Sequence, residues 1–164
     1  MNDNDLFAPP DERWHHLDPN YLALLCIKTT IKWFVVLVAL MVPVIIFLEN
    51  PWRVIIFGFG VAFLAFRVWR QGAVYRSWGF AERESDLFIT HGVWRRRLAI
   101  IPYGRMQSVN INAGPIERLL GIATVRLITA AAAVEGTIPG VGRANAEKLR
   151  ERLVVKGELQ AAGL

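Results

Sequence analysis

The chain has 164 residues, room for one modest domain plus a short membrane segment but hardly for two full cores. Its net charge is +5, and its apolar residues are unevenly spread, crowding between about Trp33 and Trp69. A single cysteine, Cys26, excludes an intramolecular disulfide and any cysteine-cluster metal site, and reads as apolar filler.

The opening segment, residues 1–17, sets Asp3, Asp5, Asp11 and Glu12 ahead of any strong cation, the reverse of a secretory signal's basic start. It is expected to be flexible. Asp18-Pro19 has the form of an N-cap followed by proline at the first helical position. A helix is predicted from there, amphipathic through Lys32 and then uncharged over residues 33–48, about 24 Å of apolar helix. Lys28 and Lys32, four apart, fall on one face near the headgroups. Pro43 removes one backbone hydrogen bond and is predicted to kink the helix.

A second span is predicted over about residues 53–69. Its uncharged stretch, Val54 to Phe66, is only about 20 Å long, a length that also fits a buried core segment or a re-entrant loop. Its flanks favour spanning: Trp52 and Trp69 stand at opposite ends like an aromatic belt, and Arg53 and Arg67 are long enough to snorkel outward. Gly58 and Ala62 offer a small-residue face for packing on the first helix. Only ENPWR separates the runs, so residues 18–70 read as a tight antiparallel hairpin. Lys28, Lys32, Arg67, Arg70 and Arg76 on one side outweigh Arg53 on the other, which puts both termini in the cytoplasm.

Residues 71–157 read as a small α+β domain. Strands are predicted over Val74 to Ala81, over the two arms of DLFITHGVWRRRLAIIP around His91-Gly92, over SVNINA (Ser108 to Ala113) and over TVRLIT (Thr124 to Thr129), with a short one near Thr137-Ile138. GPIERLLG reads as a single helical turn between strands. A last helix is predicted from Arg143 to Val155, burying Ala146, Leu149 and Leu153, before a tail over 158–164.

WGFAERESDLFITHGVWRRR, IPYGRMQSV, AGPIERLLGIATVRLITA and IPGV before a final helix, entered through WHHLDP and an apolar hairpin, resemble the membrane-flanked bacterial pleckstrin-homology (PH) domain family. The most specific block is Pro102, Tyr103, Arg105 and Gln107 followed by Gly114, Pro115 and the run to Gly121. The resemblance implies a partly open β-barrel of about seven strands with a C-terminal capping helix, on the cytoplasmic face of a bacterial plasma membrane. No catalytic residue and no cofactor come with it. The sequence departs from the pattern at AAAAVEG, where glycine-containing loops are common, and at Gly142, where an N-capping aspartate or serine is better.

Three surfaces invite a chemical reading. Arg95-Arg96-Arg97 is the densest basic feature; on a strand, Arg95 and Arg97 would share a face and meet anionic lipid or a partner, or simply form a solvated edge. Arg105 is expected to pair with a carboxylate such as Glu117, with Tyr103 and Gln107 in the same structural role. IPGVGRANAEKLRERL, Ile138 to Leu153, looks like half of a helix-hairpin-helix DNA grip, but TVRLIT is a poor helix former and no nucleic acid is expected. No histidine, cysteine or acid cluster has metal-ligand spacing, and no nucleophile elbow or phosphate loop is present. The leading expectation is a non-enzymatic integral membrane protein that assembles with itself or with a related membrane protein; the alternative is a module that senses anionic lipid.

Overall fold

The computed structural model describes residues 14–129 and 136–161; most of AAAAVEG, and all of the N-terminal segment before Trp14, lie outside them. Two long apolar helices come first. Helix α1 (Pro19–Phe47) starts at Asp18, whose Oδ1 accepts from the Asn20 amide at 2.9 Å, with Pro19 in the first turn, and it continues through Pro43. Helix α2 (Trp52–Trp69) returns beside it, after a turn in which the Arg53 side chain donates to the carbonyl of Leu48. A cation held at the C-terminal end of a helix complements its dipole. Both helices are long and apolar enough to cross a membrane, and the apolar windows that qualify them have no buried share.

The approach of α1 to α2 is set at Gly60, where a Cβ would come within 2.9 Å of Leu37, and not at Gly58, which has nothing within 4 Å. The expected Gly58 and Ala62 face is therefore turned away from α1, and both residues are exposed. The rotation that brings the bulkier Leu64 and Phe63 toward α1 selects Gly60 as the close-packing position.

Helix α3 (Gln71–Arg76) follows α2 at once, the Ala73 amide donating to Arg70 and the Arg70 amide to Phe66. The expected strand over Val74 to Ala81 is thus half helix: helical hydrogen bonds carry on out of α2, and only Gly79–Glu82 (β1) is extended. Strands β2 (Asp86–His91) and β3 (Arg97–Pro102) complete an antiparallel sheet of order β1-β2-β3. A 3-10 turn, Tyr103–Arg105, leads to β4 (Met106–Asn112), the short helix α4 (Pro115–Leu119), β5 (Ile122–Thr129) and β6 (Gly136–Gly142), which form a second antiparallel sheet of order β4-β5-β6. Helix α5 (Arg143–Ala161) ends the described chain.

The described residues therefore hold six strands in two open sheets, not the seven of a partly open barrel. The 3-10 turn parts the sheets, since among the described residues β3 pairs only with β2 and β4 only with β5. The expected tail is also corrected: α5 runs on past Val155 because its last turn is docked, with Gln160 Oε1 accepting from the Gly104 amide at 3.0 Å.

One core serves both sheets and extends past the expected domain boundary. Leu87, Ile89, Ile101, Val125, Leu127 and Ile138 meet Ala146, Leu149 and Leu153 of α5, and Leu17, Tyr21 and Leu24 from the segment before α1 and its first turns join them. The expectation of flexibility fails for the described end of the N-terminal segment: His15 and Phe80 exchange backbone hydrogen bonds of 2.8 and 3.1 Å, and the Asp18 amide donates to Gly140. Helix α1 is thus domain core at its start and an apolar rod beyond about Ile31, where most of its large side chains are exposed.

Candidate membrane-facing surface

The level at which the hairpin leaves its apolar zone is marked by aromatic and cationic contacts. Trp33 of α1 meets Phe63 of α2 edge-on at 5.0 Å, and the Arg67 guanidinium lies over the Trp33 ring at 4.9 Å, with Lys32 Nζ at 6.0 Å. Cations over an indole at the end of an apolar span are suited to an interface, where the ring packs and the charge reaches polar groups. Trp69 is exposed just beyond, and Trp52 is exposed at the other end of α2. Lys28 does not belong to this level. It lies 3.7 Å from Glu117 of α4 and ties α1 to the domain.

The β2–β3 connection sits near the same end of α2. Gly92 at φ 111° makes the turn, and a Cβ there would overlap the carbonyl oxygen of Arg95, so only glycine fits. The turn leaves Trp94 84% exposed and Val93 40% exposed. Arg95 lies in this turn and not on a strand, whereas Arg97 is the first residue of β3, opposite His91. The alternation expected to align Arg95 with Arg97 is absent because extended backbone begins only at Arg97. A cavity of about 520 Å³ lies between this turn and the helices, lined by Arg70 and Val74 of the helical side, by Trp94 and Arg95 of the turn, and by Trp78 and His91. His91 stacks on Trp78 at 4.7 Å, and its Nδ1 is buried with no hydrogen-bond partner among the described residues. Burial, and then the nearby Arg97, lower the His91 pKa, which favours the neutral ring.

The block from Pro102 to Gly121 is spread over the fold and holds it together. Pro102 closes β3. Tyr103 is fully buried, and its hydroxyl donates to the carbonyl of Arg83 at 3.2 Å; Lys156 lies over its ring and donates to the same carbonyl at 2.8 Å. Burial raises the Tyr103 pKa, and Glu82 and Asp86 push it further. Gly114 and Pro115 open α4, and Gly121, at φ 68°, accepts from the Arg143 amide at 3.0 Å. Arg105 and Gln107 are exposed. Arg105 is not the partner of Glu117, whose carboxylate accepts from the Gly114 amide at 2.8 Å and from Thr124 at 3.4 Å and faces Lys28. The reason is geometric: Arg105 leaves the 3-10 turn beside α5, while Glu117 points back at its own helix start and at α1.

At Gly142 the Asp18 carboxylate comes close from elsewhere in the chain. Asp18 Oδ2 would stand 3.1 Å from a Cβ at Gly142, so one carboxylate caps α1 with Oδ1 and faces the start of α5 with Oδ2. The strand β6 occupies the place where a helix-hairpin-helix needs its first helix.

Trp94, Trp78 and Arg70 are brought together with Arg95 although sequence reasoning had not grouped them. A tryptophan in a hairpin turn was the available signal. No group of three or more metal-ligating side chains occurs among the described residues. No curated protein and no solved structure matches the chain. The family model for the bacterial PH domain matches residues 22–154, both apolar helices included, and the chain belongs to that family.

Proposed function

We propose that the chain is a non-enzymatic integral membrane protein whose PH-like domain assembles with other proteins, as a homo-oligomer or with a related membrane protein, on the cytoplasmic face of a bacterial plasma membrane. The observation that carries this reading is the difference between sheet edges. The outer edge of β1 is bridged by His15 at Phe80, whereas β3 is laddered, among the described residues, on one side only and leaves Ile100 half exposed. A one-sided strand with an outward isoleucine suits the addition of a partner strand. The polar groups of the family block support a non-enzymatic role, because Tyr103 and Glu117 are used in fixing the fold.

Ile100→Cys in a Cys26→Ser background tests it: crosslinking in intact membranes is expected to give a dimer or an adduct with a membrane protein, and Ile100→Lys to abolish the oligomer. A chain that stays monomeric and forms no adduct contradicts the reading.

A second reading, contact with anionic lipid, is favoured by exposed Trp94 beside Arg95 at the end of α2. Salt-sensitive preference of the intact, reconstituted chain for anionic bilayers tests it. The intact chain is needed because a fragment from residue 71 lacks Leu17, Tyr21 and Leu24 of the core.

A further inference from the structure

We propose that the cavity between the C-terminal end of α2 and the β2–β3 turn binds the phosphate of an anionic lipid in the membrane that the hairpin crosses, with Trp94 seated among the headgroups. This rests on the lipid-contact reading and gives it a site.

Position is the first argument. Arg67 sits over Trp33 at the end of the apolar zone, and Arg70, three residues further along the helix, is about 4.5 Å higher along the axis. The cavity thus opens at headgroup depth. Charge is the second. Arg70 lines the cavity from the end of α2 and Arg95 from the β2–β3 turn, and among the described residues no aspartate or glutamate lines it. Two guanidinium groups across a gap are suited to one phosphodiester, which each can bind through paired N–H groups.

The remaining lining narrows the ligand. The Ser77 hydroxyl already donates to Val74 at 2.7 Å and His91 Nδ1 is buried, which leaves Arg70 and Arg95 as the charged donors of the lining. The imidazole is held in place by its stack on Trp78. At the mouth, Val93 and Trp94 present apolar surface to the outside, which disfavours a free aqueous anion and suits a lipid whose glycerol and acyl carbons continue below.

The test uses the full chain with Cys26→Ser and Val93→Cys carrying an environment-sensitive fluorophore, in nanodiscs of phosphatidylcholine with increasing phosphatidylglycerol. A blue shift that saturates with phosphatidylglycerol is expected. Arg70→Gln and Arg95→Gln should each raise the required fraction about five-fold. Arg150→Gln, an equal change of charge on the exposed face of α5, should leave it unmoved. Trp94→Ala should weaken the shift without changing thermal stability, since that side chain is 84% exposed. A label that stays aqueous at every composition overturns the proposal. So does a shift that Arg150→Gln reduces as much as Arg70→Gln, an outcome that leaves diffuse lipid attraction standing. A shift produced by glycerol 3-phosphate in pure phosphatidylcholine discs also overturns it, in favour of a soluble anion.

Discussion

The ring of Tyr21, in the first turn of α1, lies directly on the Cα of Gly140 in β6, so close that a Cβ at Gly140 would overlap the ring. Gly140 also sits at φ 63°, where other residues are strained. Gly140→Ala should therefore destabilise the protein by roughly 2–4 kcal/mol, from overpacking plus left-handed strain. Urea unfolding of the detergent-solubilised chain reads this. If Tyr21→Ala restores part of the loss in the double variant, the contact is identified as its source.

Glu117 organises α4 through its own helix start more than through its ion pair. Glu117→Gln should cost about 1 kcal/mol, from the weakened bond to the Gly114 amide. Lys28→Met should cost less than about 0.5 kcal/mol, because Lys28 is more than half exposed and solvent screens the pair. A double-mutant cycle measures both, and a coupling well above 1 kcal/mol would show the ion pair to be dominant.

Within the family block, Tyr103 and Arg105 are expected to behave differently. Tyr103→Phe removes one donor to the Arg83 carbonyl, which keeps the one from Lys156, and should lose about 1 kcal/mol. Arg105→Ala, at an exposed position, should stay within about 0.5 kcal/mol of the parent. Chemical denaturation of the two variants side by side makes the comparison.

His91 gives stability a pH dependence of known sign. Its pKa in the folded protein lies below the ordinary 6.5, held down by burial and by Arg97, with Arg70 and Arg95 in the same cavity. The unfolded chain then takes up the proton first. The contribution is fully retained above pH 6.5 and is lost as pH falls from there through the lower folded value. His91→Phe should flatten the decline in melting temperature between about pH 7 and pH 5, and an unchanged slope would assign that decline to other groups.

The parts of this fold that were legible in the sequence are those fixed by local chemistry. Uncharged runs flanked by tryptophan and arginine mark α1 and α2; Asp18-Pro19 marks the start of α1; Gly92 marks the β2–β3 turn. What was not legible depends on residues far apart in the chain. Nothing local says that Lys28 meets Glu117, that Asp18 faces Gly142, or that Tyr21 and Leu24 of α1 join the core of the β sheets. The strand expected at Val74 failed for a related reason: β-branched and aromatic residues there are overridden by helical hydrogen bonds propagating from α2. Of the candidate membrane-facing surface, Arg95 was visible as charge, but its placement in one cavity lining with Arg70 follows only from the turn geometry and the continuation of α2 into α3.

The account depends most on α1 and α2 crossing the bilayer as a pair. In a Cys26→Ser background, Glu49→Cys in the turn and Glu158→Cys in α5 can each be exposed to a membrane-impermeant maleimide in intact spheroplasts and in inverted vesicles. Labelling of residue 49 in spheroplasts alone, and of residue 158 in inverted vesicles alone, is the predicted result. Labelling of both positions from the same side would contradict it.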